Sequence, residues 1–199
     1  MWSDWGRGTR ERLWARGPCR AWSSGPSTSP LEGALVALRC TQRLLRRLRT
    51  DVVATVPEAG NALGHWYANV LTINRTAYVI AISERSLLSV VLPGAPFNTL
   101  AARFPQALAQ LLHALGVSES QVTTEVARMS PLVITATANR RVLGCLNQYA
   151  FELSMHFSDE PYSSLLEREL WLSENISSTI RYSEPRELAL ELLGARGHQ

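Results

Sequence analysis

The sequence predicts an α+β domain in which a small, mostly antiparallel sheet is covered on one face by several amphipathic helices. Three observations carry that expectation. Strand-like runs rich in β-branched and aromatic residues gather between residues 34 and 92, helical periodicity dominates from residue 100 onward, and a 46% hydrophobic content over 199 residues is enough for one core. No segment repeats at a fixed period.

Residues 1–32 read as a disordered tail, and 33–199 as a single α+β domain. In the tail, Arg, Trp, Ser, Gly and Pro are scattered without helical or strand periodicity, although Trp2, Trp5, Trp14 and Trp22 lie there. Arg10, Glu11, Arg12 and Arg16 interrupt every apolar stretch a secretory signal would need, so the segment reads as an upstream extension or a misassigned start, with a Trp/Arg interaction arm as the alternative.

The domain opens with an apolar strand at 34–40. Thr41 follows as an N-cap for a helix over 42–49, with Leu44, Leu45 and Leu48 on one side and arginines around the other. A loop with Pro57, Gly60 and Gly64 leads to runs at 66–73, 77–82 and 87–92, separated by Asn74-Arg75 and Ser83-Glu84-Arg85. These form a three-stranded antiparallel meander that Pro93-Gly94 ends. From Leu100 to Leu115 a broad apolar arc marks a helix, stopped by Gly116. Ser118 with Gln121 is a capping box, and Val117 with Val122 a hydrophobic staple, for a short helix ending near Met129. A strand at 132–137 precedes the most strongly patterned helix, 139–157, on which Val142, Leu146, Tyr149 and Leu153 share one side. The segment 163–174 counts as helix or as alternation and is assigned to helix, and Pro185 and Gly194 bound the last helix.

Composition excludes several chemistries. All 20 basic residues are arginine, so no phosphate loop ending in Gly-Lys, no Schiff-base amine and no Ser-Lys pair is available. Cys19, Cys40 and Cys145 lie far apart, which predicts neither a disulfide framework nor a zinc knuckle and points to a reducing cytoplasm. No window approaches the length of apolar sequence that spans a bilayer, so no membrane association is expected. His65, His113, His156 and His198 are isolated. His156 with Asp159 and Glu160 is the one local ligand-like grouping, and carboxylates after a helix ordinarily solvate its exit loop, so no metal or cofactor is predicted. Neither a G-x-S-x-G elbow nor a G-x-G-x-x-G turn occurs. Charge is uneven: residues 1–50 hold ten Arg against three acids, whereas 51–199 hold ten Arg against fourteen.

Several stretches together resemble a bacterial family of small proteins known only as a domain of unknown function. They are Thr41-Gln42-Arg43-Leu44-Leu45, His65-Trp66-Tyr67-Ala68-Asn69, Glu84-Arg85-Ser86-Leu87 and the run from Thr137 through Asn139, Arg140 and Gly144 to Asn147. The likeness covers roughly residues 34–193 and implies no activity. Members of that family tend to carry serine where Arg141 stands here.

Two groups of candidate residues follow. Arg140, Asn147 and Asn139, at the start of the 139–157 helix, could hold an anion over exposed first-turn amides, and Tyr67 and Asn69 could present a binding face opposite Trp66 and Ala68. The same residues suit plain architecture: Asn139 or Thr137 as a cap, Gly144 admitting a close neighbour, Asn147 bonding a loop carbonyl. Arg43, Arg46, Arg47 and Arg49 form the second group, a row able to contact phosphates or simply to cover a surface helix. The leading expectation is a cytoplasmic, non-enzymatic protein-interaction module that binds a protein partner or a second copy of itself. The alternatives are a nucleic-acid-binding accessory protein using the arginines of 39–49 and Arg140, and an enzyme acting on a phosphorylated or acidic small molecule at Arg140 and Asn147.

Overall fold

The structure, a computed structural model, describes residues 36–195. The predicted tail over 1–32 and His198 lie outside the described residues. β1 (Val36–Cys40) leads into α1 (Gln42–Leu48), and three strands follow, β2 (Trp66–Ile73), β3 (Thr76–Ser83) and β4 (Ser89–Pro93). A 3-10 turn at Phe97–Thr99 opens into α2 (Leu100–Ala114), which α3 (Glu119–Ala127) succeeds. β5 (Leu132–Ala136) precedes α4 (Arg140–Asp159), α5 (Leu165–Ser173), a second 3-10 turn (Ser178–Ile180) and α6 (Pro185–Leu192).

The five strands form one sheet in the order β4-β3-β2-β1-β5. The expected antiparallel meander is present as β2-β3-β4, but β1 runs parallel to both of its neighbours, β2 and β5, so the sheet is mixed. A second correction concerns the helices, which pack on both faces rather than one. Alternation along β2 sends Trp66, Ala68 and Val70 into a core with Leu44 of α1, Phe104 and Leu108 of α2 and Val122 of α3. It sends Tyr67, Leu71 and Ile73 to a second core with Val142, Leu146, Tyr149 and Leu153 of α4. Both corrections have one cause. Val36, Ala37, Leu38 and Cys40 are fully buried, so β1 needs cover on both sides, as strands flanked by parallel neighbours usually do.

Local signals explain the element ends. Thr41 accepts from Leu44 N (3.4 Å) at the start of α1, whose end is Arg49 in the left-handed region at φ 51°. Gln121 Oε1 accepts from the Ser118 amide (3.3 Å), and Val117 and Val122 are both buried, as the capping box and staple require. Ser164 and Glu167 form a second box, with Ser164 N donating to Glu167 (2.6 Å) and Glu167 N to the Ser164 hydroxyl (3.2 Å), which makes 165–173 a helix. β4 begins at Ser89 instead of Leu87, because Leu87 has φ 60° in a turn held by the Ser83 and Ser86 hydroxyls. Trp66 meets Phe104 edge to face at 5.0 Å, locking the sheet to α2.

The exposed edge of β4 is covered by α5. Leu170 packs toward the first core and Leu172 lies in the second, while the buried Glu169 carboxylate accepts from Val91 N at 2.5 Å. That contact uses the outward-facing amide of an edge strand, which would otherwise invite pairing with another chain.

Candidate functional site

β1 and β5 lie side by side, yet the helices that leave their carboxyl ends depart to opposite faces: α1 places Leu44 in the first core and α4 places Val142 in the second. Such a switch point is where open α/β sheets bind ligands. Thr137 N donates to Cys40 O (3.2 Å) across it, and the Thr41 hydroxyl donates to Asn69 Oδ1 (2.8 Å), which also accepts from Val70 N (2.9 Å). Asn139 caps α4, its Oδ1 accepting from Arg141 N (3.0 Å) and Val142 N (3.4 Å). Tyr67 is buried beneath α4, with its hydroxyl donating to Glu84 (3.4 Å) and lying beside the Asn139 backbone. Burial, and then the Glu84 carboxylate, hold the Tyr67 phenol above its ordinary range.

The fold therefore brings Tyr67, Asn69 and Asn139 to one edge, where the Oδ1 of Asn69 accepts from Thr41 and Val70 and the Oδ1 of Asn139 from the first-turn amides of α4. Arg140 and Asn147 are exposed on α4, and their side chains make no hydrogen bond among the described residues. Gly144, expected to admit a close neighbour, instead faces open space. Arg141 reaches Thr179 O (2.8 Å), which ties the start of α4 to the second 3-10 turn. Arg43, Arg46, Arg47 and Arg49 are all exposed on or beside α1, and none forms an ion pair among the described residues.

These geometries set the motifs at Thr41, Tyr67, Asn69 and Asn139 into one folded unit, and the model of one family matches residues 37–188 of the chain. The chain belongs to DUF6933, a domain of unknown function. No curated protein and no solved structure matches the chain.

Two further features of this DUF6933 domain escape sequence reading. The first is a cavity of about 320 Å³ beside β1, lined by Arg39, Glu58, Gly64, His65, Glu84 and Arg85. His65 is buried, its Nδ1 accepting from Ala37 N (3.1 Å), which leaves Nε2 to donate to Pro57 O (3.1 Å). Burial and the nearby Arg39 lower its pKa, so the ring is neutral and holds a loop to a strand.

The second feature lies on the outer side of α4. Phe151 is 67% exposed, Ile176 66% and Tyr182 76%, and Met155 and Trp171 are also exposed. They border two adjoining clefts of about 620 and 400 Å³ that share Glu152 and Trp171. Phe151 and Met155 stand four residues apart, away from the buried stripe of α4, and that second apolar row was the signal in the sequence. Glu152 is held by Gln148 (2.9 Å) and Asn175 (2.8 Å), whereas Asp159 and Glu160 are exposed carboxylates on the rim.

The remaining reactive groups have structural duties. Burial pushes the Cys40 thiol up to about 12, so it is no nucleophile at neutral pH. His156 Nδ1 accepts from Arg168 (2.8 Å), and among the described residues no three His, Cys, Asp or Glu side chains gather as metal ligands. No described helix is long and apolar enough to cross a membrane.

Proposed function

We propose that this protein is a non-enzymatic interaction module that seats a basic, apolar-anchored segment of a partner protein in the clefts bordered by α4, α5 and the turn at Ser178. One observation carries the reading: exposed apolar anchors coincide with a single sign of charge. Phe151, Met155, Trp171, Ile176 and Tyr182 are exposed together, Glu152, Asp159 and Glu160 line the same clefts, and no arginine is among the described residues lining them. Aromatic side chains ringed by polar groups supply most of the energy of protein interfaces, and the carboxylates select for a cationic partner. The reading calls for no cofactor, and the buried free thiols Cys40 and Cys145 support a reducing, cytoplasmic setting.

The test uses two fluorescein-labelled amphipathic helical peptides with the same leucine anchors, one with arginines on its polar face and one with glutamates. Fluorescence anisotropy is expected to show binding of the arginine peptide alone, weakened at least about tenfold by Phe151→Asp with unchanged thermal unfolding. Equal binding of both peptides, or none, would overturn the proposal. Concentration-dependent self-association that Phe151→Asp abolishes would replace the partner by a second copy of this chain.

A second reading has its own observation, the four unpaired arginines at Arg43, Arg46, Arg47 and Arg49. For a nucleic-acid-binding surface, the slope of log affinity against log salt on duplex DNA should fall by about two when Arg46 and Arg47 become glutamine together. The enzymatic reading at Arg140 and Asn147 ranks below both, because neither side chain lines the clefts described above.

A further inference from the structure

Arg39 is the one charged residue of β1, and every other residue of that strand is a buried apolar side chain. The register sets it between Tyr67 of β2 and Thr135 of β5, both buried. Its guanidinium lies 5.8 Å from the Tyr67 ring centroid, forms no hydrogen bond or ion pair among the described residues, and has a buried Nε without a partner. A strand that needed only packing would carry an apolar residue here. The guanidinium lines the cavity beside β1, and a charge there without a hydrogen-bond partner is open to an acceptor entering that cavity.

The surrounding groups say what that something must be. His65 has both nitrogens committed and is neutral. Arg85 is engaged with the Asn61 and Ala62 carbonyls (3.1 and 3.2 Å), and Gly64, at φ +79°, leaves room for its side chain, since a Cβ there would lie 3.0 Å from Arg85 Cγ. Glu84 accepts from the Tyr67 hydroxyl through Oε1, leaving Oε2 without a hydrogen bond among the described residues. Glu58, exposed, completes the wall. The uncommitted groups facing the cavity of about 320 Å³ are thus one guanidinium and two carboxylates. A simple anion would satisfy the first and be repelled by the others, and a simple cation the reverse. That volume is at the small end for ligand sites.

We propose that this cavity binds a small zwitterion of the amino-acid class, its carboxylate on Arg39 and its ammonium on Glu84, with Glu58 at the mouth. The site is separate from the clefts bordered by α4 and α5 and does not depend on the interaction reading. A planar guanidinium takes a carboxylate through two parallel hydrogen bonds, and the terminal nitrogens of Arg39, without a hydrogen bond among the described residues, can supply that pair.

The experiment is saturation-transfer NMR on the full chain with single L-amino acids at millimolar concentration, alongside their decarboxylated amines, their N-acetyl derivatives and inorganic phosphate. At least one amino acid should bind, with its amine and its N-acetyl derivative at least about tenfold weaker. Arg39→Met and Glu84→Gln should each weaken it by at least about tenfold, whereas Arg103→Met, on the far side of the sheet, should not. Glu84→Gln keeps an acceptor for Tyr67 and so remains informative if Arg39→Met fails to fold. Binding of no amino acid, or binding unaltered by Glu84→Gln, overturns the proposal. So does phosphate or an N-acetyl derivative binding as tightly as the amino acid, which would leave an anion site in its place.

Discussion

Replacing Glu169 by glutamine should remove most of a pH-dependent instability that the wild-type chain carries between mildly acidic and alkaline conditions. Glu169 is 4% exposed, and among the described residues no cation pairs with it. Burial raises its carboxyl pKa from 4.5 to about 8, against the opposing pull of the Val91 amide. The folded state therefore binds this proton more tightly than the unfolded state does. The associated stability is complete below the unfolded pKa and is lost as pH rises through about 8. At about 1.4 kcal/mol per pH unit, the span from 4.5 to about 8 corresponds to a loss on the order of 5 kcal/mol. Glutamine keeps a carbonyl oxygen for Val91 N, fills the same volume and cannot ionise. Urea unfolding followed by far-UV circular dichroism should put the variant ahead by only about 1 kcal/mol at pH 5.5, one unit above the unfolded pKa, and by roughly 4–5 kcal/mol at pH 9. Parallel pH profiles for the two proteins would refute the reasoning, since they would mean that the carboxylate charges without cost in its folded surroundings. Glu169→Leu, in contrast, orphans the Val91 amide and should cost about 1–3 kcal/mol even at pH 5.5.

Other substitutions probe the remaining buried polar links. Arg168 is fully buried, donates to the His156 and Glu160 carbonyls (3.0 and 2.6 Å) at the end of α4 and lies 3.8 Å from the Phe157 ring centroid; Arg168→Met should lower unfolding free energy by about 2–4 kcal/mol in urea titrations, and lysine should not restore it. Glu125, also buried, accepts from Asn61 Nδ2 (2.7 Å), Ala62 N (2.8 Å) and Leu63 N (3.0 Å), so Glu125→Ala should cost about 2–4 kcal/mol and speed hydrogen exchange at the Ala62 and Leu63 amides. Phe104→Ala removes the ring that meets Trp66 and should cost about 3–5 kcal/mol, read as a fall in the urea midpoint with little change in slope.

The sequence by itself determined what depends on neighbours a few residues apart. The Thr41 cap, the Ser118 box, the stripe of α4 and the Asn74-Arg75 turn are set by hydrogen bonds and periodicities within one or two turns of chain, and each appears where the residues place it. Even the doubtful segment over 163–174 carried a local answer in Ser164 and Glu167. Tertiary structure alone decided the pairing of β1 between β2 and β5, because a short strand buried on both faces shows no alternation from which to read its partners or their direction. It also decided which polar residues matter. Asn69 and Asn139, conspicuous in sequence, are occupied with caps and backbone, whereas Arg39 is conspicuous only once strands and loops from His65 and Glu84 close around it. Burial and electrostatic partnership are sums over residues distant in the chain, and only the packed sheet performs them.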